Sequence, residues 1–104
     1  MVKVMIGYKI RKGADFEPVL LKLRANVMTF PGFIGSENLQ NAKDSSIVAI
    51  VQSWDREEDW KAWEPSTIRR SILQEAKPLL TEEPRVTIYR VMPTGGWGNS
   101  RRDS

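Results

Sequence analysis

Every second residue of the N-terminal segment is apolar: Val2, Val4, Ile6, Tyr8 and Ile10 alternate with Lys3, Met5, Gly7 and Lys9. That period gathers the five side chains on one face of a β-strand, which must then find neighbouring strands and a covering layer. The rest of the chain supplies both. After Lys12-Gly13, Asp15 is placed to cap a helix, Pro18 falls in its first turn, and Phe16, Leu20, Leu23, Val27 and Phe30 recur at helical spacing until Pro31-Gly32 stops it. A strand follows from Phe33 to about Gln40, then a turn over Asn41 to Asp44 and a β-branched run from Ile47 to Val51. From about Arg56 to Glu64 the pattern is helical again. Pro65 interrupts it, Ser66 caps a further segment with Ile68, Ile72, Leu73 and Ala76 on its apolar face, and Pro78 closes that segment. Val86, Ile88 and Arg90 alternate with Thr87, Tyr89 and Val91 in a last strand.

The order β-α-β-β-α-β predicts an α+β, ferredoxin-like antiparallel sheet with its helices on one face. We expect one domain over residues 1–92 and a flexible C-terminal tail over 93–104. A chain of 104 residues, 40% hydrophobic and 28% charged, has enough apolar side chains for one core. So short a domain gains from further burial by self-association. The second sheet face carries Met5, Gly7, Ile47 or Val48, and Val91 or Met92 as apolar contributors, so a homodimer through that face is expected.

Composition also bounds the partners. The net charge is +3 and its cations are interspersed along the chain, without the basic stripe and interleaved aromatics of a nucleic-acid surface. No apolar run approaches the roughly 20 residues of a membrane span, and the alternating N-terminus is unlike a secretory leader. We therefore expect a cytoplasmic protein with neither a nucleic-acid nor a membrane partner. There is no cysteine and no histidine, which leaves only carboxylates for metals, and the Glu57-Glu58-Asp59 run lacks the convergent spacing of an oxygen cage.

The segments "TFPGFIG", "SIVAIVQSW" and "DREEDWKAWEPS", residues 29–35 and 46–66, resemble the antibiotic biosynthesis monooxygenase domain, and the likeness extends over about residues 2–92. It implies a dimeric α/β barrel with a pocket between sheet and helices. Relatives on this fold include cofactor-free oxygenases of polyketide quinols and haem-degrading oxygenases. The haem branch implies a proximal histidine on the last helix and an asparagine on the first strand. Here Arg69 to Leu73 occupy the former region and Ile6, Gly7 and Tyr8 the latter, so haem degradation is disfavoured.

The cofactor-free branch implies a dry pocket in which an electron-rich aromatic loses a proton and its carbanion meets dioxygen, with no cofactor. Trp54 matches that branch's tryptophan at the end of the third strand, and Trp60 falls where a relative has a tyrosine. The asparagine expected four residues before Trp54 is Ile50, and Asn38, Gln40 and Gln52 are the substitutes. The pocket candidates are thus Trp54, Trp60, Trp63, Tyr8, Asn38, Tyr89 and Arg70, around a small apolar or aromatic ligand. Each has a plainer reading. Trp54 plugs a sheet-to-helix corner, Trp60 and Trp63 anchor one helical face, Tyr8 and Tyr89 are satisfied phenols on neighbouring strands, and Arg69 and Arg70 are solvated. Three functions stay open: a cofactor-free monooxygenase, a non-catalytic binder of an apolar ligand, and a structural dimer.

Overall fold

The computed structural model describes residues 1–93, so the tail expected over 93–104 lies, from Thr94 onward, outside the described residues. The elements follow the expected order: β1 (Val2–Lys9), α1 (Glu17–Val27), β2 (Phe33–Gln40), β3 (Ile47–Trp54), α2 (Glu57–Trp63), α3 (Thr67–Ala76) and β4 (Arg85–Arg90), with one 3-10 turn at Lys77–Leu79. The strands form one antiparallel sheet in the order β2-β3-β1-β4. Among the described residues no helix is long and apolar enough to cross a membrane.

Alternation along β1 is expressed as burial. Val2, Val4, Ile6 and Tyr8 are buried, whereas Lys3, Met5 and Lys9 are exposed. Cross-strand partners share a face, so β1 assigns its neighbours. Trp54, Gln52, Ile50 and Val48 on β3 lie opposite Val2, Val4, Ile6 and Tyr8, and Arg90, Ile88 and Val86 on β4 lie opposite Val2, Val4 and Ile6. Val19, Leu23 and Val27 of α1, Trp60 and Trp63 of α2, and Ile72 and Ala76 of α3 cover this face and complete the core. The other face carries Met5, Leu39 and Tyr89, all exposed, around half-buried Ile47, Ala49 and Val51. Ile47, not Val48, therefore belongs to the outer face.

The helix ends differ from the simple reading in instructive ways. Asp15 sits one position too early to be the N-cap of α1. Its Oδ1 instead accepts from the Glu17 N–H at 3.1 Å, an Asx-type turn ahead of the helix. The α1 helix stops at Val27, and Phe30 packs from the following turn against Trp63, with ring centroids 4.8 Å apart. Pro65 does divide the later helical stretch, and Ser66 Oγ accepts from the Arg69 N–H at the start of α3. Gly32 is the tight point of the α1-to-β2 turn. Its φ is +84°, and a Cβ there would run into the Asp59 carboxylate of α2. This close approach seats the first turn of α2 on the loop before β2, and the Asp55 N–H donates to the Gly32 carbonyl at 2.8 Å.

Candidate functional site

The helix side of the sheet holds two distinct chemical environments. The first is the dry interior beneath α2 and α3. Trp54 and Trp60 are wholly inaccessible and Trp63 nearly so, because strand β3 ends at Trp54 directly before the helix that carries the other two. Their rings meet edge to face: Trp54 lies 5.3 Å from Phe33 and 6.2 Å from Trp60. The Trp54 Nε1–H donates to Gln52 Oε1 at 3.0 Å, which satisfies both groups in the core. Among the described residues, Trp60 Nε1 is buried with no hydrogen-bond partner.

Arg69 joins this interior from α3. It is 8% exposed, its guanidinium carbon stands 5.3 Å from the centre of the Trp60 ring, and NH1 donates to the Glu64 carbonyl at 3.1 Å. Withdrawal from water lowers its pKa, while Tyr8, when ionised, and the Glu64 carboxylate oppose that change by their negative charge. Tyr8 reaches the same region from β1. Burial pushes its pKa up to about 12, with Arg69 pulling the other way, so the phenol is a neutral O–H at physiological pH.

The second environment is open. A groove of about 680 Å³ runs between the start of α1 and the free edge of β2. Ile10, Phe16, Leu20 and Val48 make its apolar wall, and Asn38 and Gln40 contribute amides. Asn38 pairs with Ile50 and Gln40 with Val48, so both amides belong to the helix side of the sheet. Gln40 Nε2 donates to the Ser45 carbonyl at 3.1 Å. Arg11, Lys12, Asp15, Glu17 and Asp44 supply charge at its margin. Asp44 accepts from the Ser46 hydroxyl and N–H, which hold its pKa low. Phe16 connects the environments: its ring centroid is 5.1 Å from that of Tyr8. The volume falls within the roughly 300–1,000 Å³ of ordinary small-molecule sites.

The structure divides the residues singled out from the sequence. Trp54, Trp60 and Trp63 share the core beneath α2, Tyr8 is buried toward the other end of β1 against Phe16, and none of the four lines the groove. Asn38 lines it. Arg70 is exposed and borders a separate cleft of about 570 Å³ with Arg11, Leu73, Lys77, Glu82 and Glu83. Tyr89 pairs with Lys3 on the outer face, opposite in direction to Tyr8. Phe16 and Leu20 read as ordinary core-facing helix positions, and nothing in their spacing marks them as groove residues. In the sequence Arg69 and Arg70 are adjacent and read alike as solvated cations. The break at Pro65 resets the helical phase, and that reset turns Arg69 inward and Arg70 outward.

Sequence comparison matches the family described as antibiotic biosynthesis monooxygenase over residues 1–75. A comparison with curated proteins gives no match. Among solved structures, a conserved protein from Methanosarcina mazei Go1 superposes with a TM-score of 0.78 at 18% identity, covering 88% of this chain and 92% of that one. SnoaB, a cofactor-independent oxygenase from Streptomyces nogalater, gives 0.77 at 16% identity, with 89% and 94% covered. Rv0793 from Mycobacterium tuberculosis gives 0.77 at 14% identity, with 88% and 95% covered. At such identities these structures establish the shared fold.

Proposed function

Because this chain belongs to the antibiotic biosynthesis monooxygenase family, we propose that it is a cofactor-independent monooxygenase of a small aromatic or quinol-like substrate, and that the substrate lies in the groove between α1 and β2. The observation that carries the reading is the groove itself, an apolar wall of Phe16, Leu20, Ile10 and Val48 facing the amides of Asn38 and Gln40. A flat aromatic fits the wall, and the amides are suited to hold an oxygen that gains charge. In the proposed reaction an activated carbon loses a proton, the carbanion adds dioxygen, and the peroxide loses water to leave a carbonyl. One oxygen atom enters the product and the other leaves as water.

The base for the first step is narrowed by the surroundings. A tyrosinate at Tyr8 is disfavoured near neutrality because burial raises its pKa to about 12. Asp44 is a poor base because Ser46 stabilises its ionised form. Asp15, Glu17 and the substrate's own acidity remain. The same reading includes a cytoplasmic protein folded over residues 1–92 and a two-fold dimer through the outer face, where Met5, Leu39, Tyr89 and Val91 expose 40–54% of their surface around Ile47, Ala49 and Val51.

Dioxygen uptake with a panel of dihydroxyaromatics and anthrone-like substrates tests the proposal, with Asn38→Ala and Phe16→Ala as groove variants. Uptake that falls at least tenfold in Asn38→Ala supports it. Binding without oxygen uptake identifies a non-catalytic binder, which uses the same groove and requires no base. Neither binding nor uptake leaves the structural dimer.

A further inference from the structure

The cleft of about 570 Å³ that Arg70 borders lies between α3 and the connection leading into β4, and the proposed reaction does not use it. Arg70, Leu73, Gln74 and Lys77 line it from one stripe of the helix and the turn that continues it, at positions i, i+3, i+4 and i+7. Leu80 to Pro84 supply the facing wall, and Arg11 enters from the loop after β1. The Arg11 guanidinium is anchored there, since Nε donates to the Pro78 carbonyl at 3.1 Å and Nη2 to the Leu80 carbonyl at 3.2 Å. Three cations and two carboxylates line the cleft, which leaves one positive charge in excess. Both carboxylates already have partners. Glu82 pairs with Arg85 at 3.2 Å and with Lys9 at 3.9 Å, neither of which lines the cleft, and Glu83 stands 4.0 Å from Lys77. Among the described residues Arg11 and Arg70 make no ion pair.

We infer that this cleft binds a small organic monocarboxylate, with Arg11 and Arg70 as the charged partners of its carboxylate and Leu73, Leu80 and Pro84 against its hydrocarbon body. Buried Leu80 and half-buried Leu73 and Pro84 give the apolar part of the lining, and a planar guanidinium matches the fork of a carboxylate. One negative charge equals the surplus. A dianion such as phosphate would exceed it in a cleft that also holds Glu82 and Glu83, and a neutral ligand would make no use of it. The volume suits a ligand of this size. Arg11 alone lines both this cleft and the groove between α1 and β2, and the inference does not rest on the reaction proposed for that groove.

An NMR titration of the nitrogen-labelled full chain with sodium benzoate at constant ionic strength tests the assignment, with neutral benzamide as the control of similar shape. The side-chain amide of Gln74 reports the cleft and that of Asn38 the groove. Benzoate is expected to move the Gln74 signals along a saturating curve, with a Kd at least ~10-fold lower than that of benzamide. Arg70→Met, at an exposed position, should raise the benzoate Kd ~10-fold, as for loss of one charge-assisted contact, and leave benzamide unaffected. Arg70 is the residue to vary because Arg11 also borders the groove. Equal affinities for benzoate and benzamide, an unchanged benzoate Kd in Arg70→Met, or shifts confined to Asn38 overturn the site. Inorganic phosphate binding more tightly than benzoate overturns the ligand class.

Discussion

Replacing Trp54 by Phe separates its packing from its hydrogen bond. The indole is wholly buried, and its Nε1–H is bonded to Gln52 Oε1 at 3.0 Å. Phenylalanine retains an aromatic ring beside Phe33 and Trp60 but leaves a void of about 40 Å³, worth about 1 kcal/mol at about 24 cal/mol per Å³. It also strands the Gln52 oxygen in the core, which adds about 1–3 kcal/mol. The expected loss is therefore about 2–4 kcal/mol. Gln52→Leu alone strands the indole N–H and should cost about 1–3 kcal/mol. The double variant removes both partners, so it should cost less than the sum of the two single changes by about 1–2 kcal/mol. Urea unfolding followed by far-UV circular dichroism measures all four proteins without depending on tryptophan emission. A Trp54→Phe loss below about 0.5 kcal/mol, or single costs that simply add, would refute the claim that this pair is a satisfied core contact. Because Trp54 does not line the groove, ligand affinity measured under conditions where the variant is folded should not change.

Gly13 and Gly32 have nearly the same φ, +82° and +84°, but only Gly32 has a side chain in the path of a Cβ. Gly13→Ala should cost about 1 kcal/mol from backbone strain alone, and Gly32→Ala measurably more; equal denaturation midpoints would remove the role given to Asp59. The native state holds the Tyr8 proton more tightly than the unfolded chain, so that contribution to stability is complete below pH 10 and is lost as pH rises toward about 12. Absorbance at the phenolate band during base titration checks this, and Tyr8→Phe should flatten the high-pH loss of stability. For the proposed dimer, which should bury more than roughly 1,000 Å², Val51→Arg on the outer face is expected to give a folded monomer by sedimentation. A wild-type monomer at micromolar concentration contradicts that part of the proposal.

Period and punctuation were enough to order the elements. Alternation over Val2 to Ile10, the Pro31-Gly32 stop and the Pro65-Ser66 break act through local backbone geometry, so they can be read without knowing what each segment meets. The family could be recognised for the same reason, since its motifs fall at those junctions. What alternation leaves undetermined is strand register, because a shift of one residue exchanges the faces. The pairing of Asn38 with Ile50 and Gln40 with Val48 put both amides on the helix side, and the pairing of Tyr89 with Lys3 sent that phenol to the other. Helical phase after Pro65 likewise determined that Arg69 is buried and Arg70 exposed, although they are adjacent and chemically alike. Composition sees two arginines and three tryptophans in one stretch. Only the packing of α2 and α3 on the helix side of the sheet decides which of them lose water, because desolvation depends on neighbours distant in the chain.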